Sequence, residues 1–168
     1  MTELTLEEKA TNNETREHIE NVRNLLNIMV RELLRRGEIH DQSKLGDLER
    51  STFVEFTPKL KGSTYGSEEY KGFLSEMKPA LDNHYASNRH HPEHFKNGIK
   101  DMNLIDVLEM ILDWRAASQR HQNGNVEKSV EVNRERFGLS DQLATIIINT
   151  YRDFGLLELS DLSTKVQE

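Results

Sequence analysis

Five histidines and two aspartates of this chain could together hold a metal ion. They are His18, His40, Asp41, His84, His90, His91 and Asp113. A buried imidazole costs free energy unless it is hydrogen-bonded or ligated, and an unpartnered buried carboxylate costs far more. A divalent cation satisfies both groups, because imidazole nitrogen and carboxylate oxygen are good ligands for zinc, iron, manganese, cobalt or nickel. The chain has no cysteine, so a metal site here would use nitrogen and oxygen ligands only.

Each of these residues taken alone has an ordinary structural explanation. A single histidine on an apolar helix face is usually a hydrogen-bonded core residue, and His90-His91-Pro92 fits a polar loop. Asp106, Glu109 and Asp113 fit a solvated acidic face. Taken together they favour a metal site, because five separate elements each supply one or two ligand-type residues, with the His40-Asp41 pair as the sharpest signal. The two remaining histidines, expected at the surface, are His94 and His121.

Helical periodicity predicts the elements that must position these residues. Apolar residues recur every three or four positions from Ile19 to Leu34, which indicates a helix from about residue 14 to 36. Thr11 and Glu14 fit a capping box, and Gly37 is a typical stop signal. His18 lies on the apolar stripe, so its imidazole is expected to face the core.

The remaining pattern is also helical. A shorter helix is expected from about residue 39 to 56, ended by Thr57-Pro58, with a loop over 59–67. Ser67 should cap a third helix that Pro79 kinks and that carries His84 on its buried stripe. Residues 89–101 do not fit a simple helix, and three further helices are expected at 103–121, 125–137 and 140–155. The predicted fold class is all-α, a single-domain irregular helical bundle at 14–155, with an N-terminal extension at 1–13 and a C-terminal tail at 156–168.

Composition excludes several classes of function. The net charge of −7 opposes binding to a nucleic-acid polymer or to an anionic membrane surface. No apolar run approaches the roughly 20 residues that a membrane-spanning helix needs. The start of the chain lacks the basic and apolar segments of a signal peptide. A cytoplasmic protein is therefore expected.

The spacing of the ligand-type residues resembles the HD-domain superfamily of metal-dependent phosphohydrolases. His18, His40-Asp41 and Asp113 are similar to its H…HD…D signature, and residues 40–44 match the HDxxK form of the central motif. His90-His91-Pro92-Glu93 resembles the HHE stretch of the HD-GYP branch, although the glycine-tyrosine-proline stretch is absent. The whole chain also resembles an uncharacterised bacterial and bacteriophage family with HHPEH and DWxA motifs. The fold that this resemblance implies, an irregular helical bundle around a metal site, agrees with the all-α pattern.

The resemblance implies one or two divalent metals, with Mn, Fe, Co, Ni, Zn or Mg as candidates. It implies a first position held by His18, His40, Asp41 and Asp113. It implies a second position that shares Asp41 and is completed by His84 and either His90 or His91. Lys44 would then contact an anionic substrate oxygen, although the nucleotidase-like branch has an acidic residue at that place.

The implied activity is hydrolysis of a phosphate ester or anhydride by a metal-activated water, with a small nucleotide as the expected substrate. Asp41 and Lys44 would be catalytic, and an unligated histidine or Glu109 would pass a proton to the leaving oxygen. Arg89 and Arg115 are candidates for binding the anion. A di-iron oxygenase of the same superfamily and a non-enzymatic helical binding module stay open as alternatives. A homodimer also stays open.

Overall fold

A computed structural model describes residues 3–64, 67–119 and 125–157, and these residues contain helices and turns but no strand. The all-α fold class predicted from periodicity is confirmed at this level. The chain divides into two compact units, residues 1–39 and 40–168. No helix in the described ranges is both long enough and apolar enough to cross a membrane.

The first unit contains a single helix, α1 (Leu6–Ile39). Its capping box is formed by Thr5 and Glu8: the amide of Glu8 donates to Thr5 Oγ1 at 3.2 Å, and the amide of Thr5 donates to Glu8 Oε2 at 2.7 Å. The predicted start near residue 14 is therefore wrong, and Gly37 lies inside the helix instead of ending it.

The apolar stripe of α1 is exposed. Ile19, Leu25 and Leu34 keep 51%, 64% and 65% of their surface accessible. His18 on the same helix is also exposed. Within this unit the prediction that His18 faces a core is wrong, because the unit's one helix offers no second apolar surface against which its stripe could be buried.

The second unit is built from six α-helices and three short 3₁₀ turns in the described residues. The helices are α2 (Arg50–Gly62), α3 (Glu68–Glu76), α4 (Lys78–Ser87), α5 (Leu104–Ser118), α6 (Val126–Phe137) and α7 (Asp141–Asp153). The 3₁₀ turns are Gln42–Leu45, Pro92–His94 and Gly98–Asp101. The predicted irregularity of residues 89–101 is confirmed as two of these turns.

Local sequence signals set most of the helix ends. Ser67 and Ser140 accept hydrogen bonds from the amides of Tyr70 and Leu143, as expected of N-caps. Pro79 is the second residue of α4, which begins at Lys78 after a break at Met77, so a helix boundary replaces the predicted kink. Pro58 lies inside α2, so the predicted end of that helix at Thr57-Pro58 is wrong.

The apolar core of the second unit lies among α5, α6 and α7. Its buried members are Met110, Ile111, Val126, Val130, Leu139, Ile147 and Tyr151. The Tyr151 hydroxyl donates to the carbonyl of Ile111 at 2.5 Å, which links α7 to α5. This packing fixes one face of α5, and the face that carries Glu109 and Asp113 contributes to the cluster described next.

Candidate metal centre

The His40-Asp41 pair occupies a sharp turn between α1 and the first 3₁₀ turn. Asp41 has φ 57° and ψ 13°, and it is the one described residue other than glycine with a positive φ. Aspartate tolerates this left-handed region better than most residues, but it is still uncommon, and such outliers concentrate at functional sites. The turn brings the side chains of both residues into one cluster with residues of α4, of the segment just before the Pro92–His94 turn, and of α5.

Three overlapping groups of ligand-type atoms lie in this cluster, each with its atoms within 4.8 Å of one another. The first is Asp41, His84, His90 and His91. The second is His40, Asp41 and Asp113. The third is His40, His90 and Glu109. Asp41 belongs to the first two groups, and the bridging role that the family resemblance implied for it stays a prediction.

The first group directs ring nitrogens at Asp41. His84 Nε2 lies 2.9 Å from His91 Nε2 and 3.2 Å from Asp41 Oδ1. His90 Nε2 lies 3.5 Å from the same oxygen. His84 and His90 are each only 2% exposed in their side chains, so these nitrogens converge away from bulk water.

The second group is richer in oxygen and more open. His40 Nε2 lies 3.6 Å from Asp41 Oδ2 and 3.6 Å from Asp113 Oδ1. The side chains of these three residues are 29%, 17% and 23% exposed. Solvent and a small ligand can therefore approach this side of the cluster.

Two buried atoms of the cluster support a ligand that the protein itself does not provide. Asp41 Oδ1 and His90 Nε2 are inaccessible to solvent and make no hydrogen bond among the described residues. Buried polar atoms in native proteins are nearly always satisfied, so each such exception requires an explanation. Both atoms belong to the first group, and a divalent cation would satisfy both at once. The residues present therefore fit a metal.

Two glutamates contact the Nδ1 atoms of three imidazoles in the cluster. Glu109 Oε1 is 2.9 Å from His40 Nδ1 and 3.1 Å from His90 Nδ1. Glu49 Oε2 is 3.0 Å from His84 Nδ1. In the rings of His40, His84 and His90 the Nδ1 atom faces a glutamate, and the Nε2 atom faces Asp41.

The acidic groups strongly perturb the protonation of His40 and Asp41. The contact with the Asp113 carboxylate, followed by those with Glu109 and Asp41, raises the pKa of His40 to about 10 despite partial burial. Burial alone would raise the pKa of Asp41, but His84, Lys44 and the charge of His40 outweigh it and hold that pKa far below its usual range. Asp41 is therefore ionised, as a metal ligand must be.

His91 and Asp113 are held in their ligand forms. Burial, together with the nearby His90 and His84, lowers the pKa of His91 to about 3, so its imidazole is neutral at physiological pH. Burial would raise the pKa of Asp113, but its contacts with His40 and His90 lower it overall.

Lys44 is next to the cluster, and its predicted contact with a substrate oxygen stays a prediction. Its Nζ atom lies 2.5 Å from Asp41 Oδ2, on the opposite carboxylate oxygen from the one that faces His84 and His90. Lys44 keeps 30% of its side chain exposed and lies 5.1 Å from the centroid of the Phe53 ring.

The other predicted site residues lie elsewhere. His18 is in the first unit, and its role as a metal ligand stays a prediction. Arg89 makes a bidentate ion pair with Asp106, which is fully buried. Arg115 is buried and donates through Nε to the carbonyl of Leu156. Both arginines therefore have structural partners, and their predicted binding of the substrate anion stays a prediction.

The alternative explanation of Asp106, Glu109 and Asp113 as a solvated acidic face does not hold for α5. Asp106 is fully buried, where it pairs with Arg89 and forms a capping box with Asn103 at the start of α5. Glu109 is 11% exposed and contacts two imidazoles. His94, expected at the surface, is half-buried with Nδ1 2.9 Å from the carbonyl of Tyr85, and His121 lies outside the described residues.

Sequence reasoning missed Glu49. This residue precedes α2 and is fully buried, with Asn83 donating to Oε1 at 2.7 Å and Ser43 donating to Oε2 at 3.2 Å. The sequence did contain a signal for its burial. Glu49, Phe53 and Phe56 follow one another at intervals of four and three residues, which is the spacing of one helix face. That spacing places a charged residue on an apolar helix face.

Comparison with known proteins identifies a family. The model of a family of unknown function, DUF5662, matches residues 7–153, and the chain belongs to this family. Neither the curated proteins nor the solved structures contain a match to this chain.

Proposed function

We propose that this protein is a metal-dependent phosphohydrolase that acts on a phosphate ester or anhydride, with a small nucleotide as the preferred substrate class. The observation that carries the proposal is Asp41, whose two carboxylate oxygens face two different groups of metal ligands. A carboxylate in that position can join two cations, and paired cations are a recurrent solution for phosphoryl chemistry.

The residues that would hold the cations are those of the first two groups. His84, His90 and His91 with Asp41 form a nitrogen-rich, buried position. His40 and Asp113 with Asp41 form a more open one. When bound, divalent cations would supply Lewis-acid activation of water and neutralise charge on a phosphoryl oxygen.

Lys44 would bind the substrate anion. Its ammonium group already contacts Asp41 Oδ2 at 2.5 Å at the partly exposed edge of the cluster. A phosphoryl oxygen arriving beside Asp41 would therefore meet a positive charge without rearrangement of the backbone, and a charge-assisted hydrogen bond there would orient it.

In this proposal Glu109 accepts hydrogen bonds from imidazoles of the cluster and does not carry out the proton transfer that was expected from sequence. Its Oε1 atom lies within hydrogen-bond distance of two Nδ1 atoms. A carboxylate that accepts from two imidazoles is poorly placed to carry a proton to a leaving group.

The test is elemental analysis of the purified protein, followed by a phosphate-release assay. The protein is reloaded with Mn, Co, Zn or Mg and assayed with nucleoside monophosphates, triphosphates and cyclic nucleotides. We expect stoichiometric metal and phosphate release that Lys44→Met reduces, whereas the matched Lys71→Met leaves it unchanged. Lys71 is a suitable control because it is exposed and pairs with Glu68 on α3.

Three results would contradict the proposal. Absence of metal even after reloading removes its basis. An iron-rich protein that consumes dioxygen on substrate addition indicates the oxygenase alternative. Stoichiometric metal with no phosphate release from any tested substrate indicates a binding module.

A further inference from the structure

Three imidazoles of the cluster share one arrangement. His40, His84 and His90 each present Nδ1 to a glutamate at 2.9–3.1 Å and Nε2 to Asp41 at 3.2–3.6 Å. A neutral imidazole has one N–H and one lone pair, so a carboxylate at Nδ1 fixes the proton there and leaves the lone pair on Nε2.

Glu109 serves two of these rings with one oxygen. The His40 and His90 rings are adjacent, with centroids 4.4 Å apart and planes inclined by 39°. Glu109 lies one helical turn before Asp113 on α5, so the same helix face supplies the residue that orients the rings and a candidate ligand. The packing of α5 against α6 and α7 keeps that face in place.

Glu49 serves His84 and is itself held on both oxygens. Asn83 donates to Oε1, and Ser43 donates to Oε2, so the carboxylate has little freedom to turn away. Asn88 also approaches His84 Nδ1 at 3.1 Å, but its two amide hydrogens have nearer acceptors at 2.8 Å, in Ser43 Oγ and the His84 carbonyl. Ser43 Oγ also lies 3.2 Å from His84 Nδ1, but it donates its single hydrogen to Glu49 Oε2. Glu49 is therefore the nearest charged acceptor for a proton on Nδ1 of His84, at 3.0 Å.

We infer that Glu49 and Glu109 are positioning residues that, with a cation bound, hold His84, His40 and His90 with the proton on Nδ1, so that the three Nε2 atoms beside Asp41 are the ligating nitrogens. This inference rests on the metal site of the proposed function and extends it to residues that do not ligate. Partners of this kind commonly change metal affinity by about 10–100-fold when they are removed.

A competing arrangement gives a clear alternative outcome. His40, His90 and Glu109 could themselves hold an ion through Nδ1 and the carboxylate. In that case Nε2 would carry the proton, and Glu109 would be a ligand. The two arrangements differ in which ring nitrogen is metallated and in how many ions bind.

The first measurement uses the zinc-loaded wild-type protein. Long-range ¹⁵N–¹H spectra of the histidine rings distinguish a protonated Nδ1 from a metallated one. We expect His40, His84 and His90 to carry the proton on Nδ1 and metal on Nε2. Nε2-protonated rings at these residues overturn the inference, and this wild-type measurement applies even if a variant at the fully buried Glu49 fails to fold.

The second measurement compares zinc affinity and stoichiometry in variants. Glu109→Ala should weaken zinc binding by about 10–100-fold at unchanged stoichiometry and alter the His40 and His90 signals while sparing His84. Glu109→Gln should restore part of the affinity, because its carbonyl oxygen still accepts from Nδ1. The control is Glu93→Ala. Glu93 lies in the turn after His91, but its carboxylate pairs with Arg136 of α6 and not with an imidazole of the cluster.

The outcomes separate this inference from the proposed function. Loss of one whole zinc ion in Glu109→Ala makes Glu109 a ligand, and unchanged affinity gives it no role; either overturns the inference. If zinc binds and the three rings carry the proton on Nδ1, but no phosphate is released, the inference holds and the phosphohydrolase proposal fails. If wild type binds no zinc, the inference fails, and the phosphohydrolase proposal fails with it only when Mn, Co and Mg do not bind either.

Discussion

Asp41 combines an unusual backbone with an unusual environment. Its left-handed φ directs the carboxylate into the cluster, and its Oδ1 atom is buried without a hydrogen bond in the described residues. Lys44 contacts the other oxygen. These features together are expected of a residue whose partner is a cation that the polypeptide does not supply.

Replacement of this carboxylate should abolish binding at both positions. Asp41→Asn removes the charge shared by the two ligand groups. We therefore expect metal affinity to fall by more than the loss of about 10–100-fold that is typical when a hydrogen-bond partner of a ligand is removed. The measurement is stoichiometry and affinity for zinc. Asp47→Asn is the matched control, because Asp47 is 90% exposed and pairs with Arg50. Equal affinities for the two variants would contradict the prediction.

Protonation of His40 should make the stability of metal-free protein pH-dependent. Its folded-state pKa, raised to about 10 by Asp113 and Glu109, exceeds the ordinary value of 6.5. The stability that this provides is fully present below pH 6.5 and is lost as pH rises through 10. We therefore expect the difference in unfolding free energy between wild type and His40→Asn to shrink over this range.

Urea denaturation of both proteins in a chelating buffer measures this difference. A difference that grows with pH would mean that the acidic neighbours do not stabilise the imidazolium form.

At the scale of elements, helix boundaries place the cluster. The start of α5 follows from a short-range signal, the Asn103–Asp106 capping box. Asp106 also binds Arg89 from the segment that carries His90 and His91. One buried carboxylate therefore joins the start of α5 to the histidine-bearing loop.

Two glycine substitutions should change stability in opposite directions. Gly138 ends α6 with φ 65°, where a side chain is strained, so Gly138→Ala should lower the unfolding free energy by about 1–2 kcal/mol. Gly72 lies inside α3 with nothing within 4 Å of an added Cβ, so Gly72→Ala should raise it by about 0.5–1 kcal/mol. Denaturant titration of the two variants checks the signs, and the same sign for both would refute the argument.

At the scale of the whole molecule, the second unit carries both the apolar core and the cluster. α5 belongs to both, since Met110 and Ile111 face the core and Glu109 and Asp113 face the imidazoles. Binding at the cluster is therefore expected to stabilise the packing of this unit.

Metal should raise the stability of the protein by mass action. A ligand that binds only the folded state at 100 times its Kd adds about 2.7 kcal/mol to the unfolding free energy. We expect zinc to raise the thermal midpoint of wild type, a chelator to reverse the rise, and Asp41→Asn to show little response. A midpoint that is insensitive to zinc in wild type would argue against a folded-state metal site.

The sequence by itself determined the helical fold class, most helix caps and the residue types of the cluster, because periodicity and capping act over three or four residues. It could not determine burial on α1, where His18 lies on an apolar stripe that stays exposed. Nor could it assign Glu49 and Glu109, which meet the imidazoles across 35 and 69 residues of chain. Only the tertiary structure decides which nitrogen of each ring faces a carboxylate, because that choice depends on packing between distant helices.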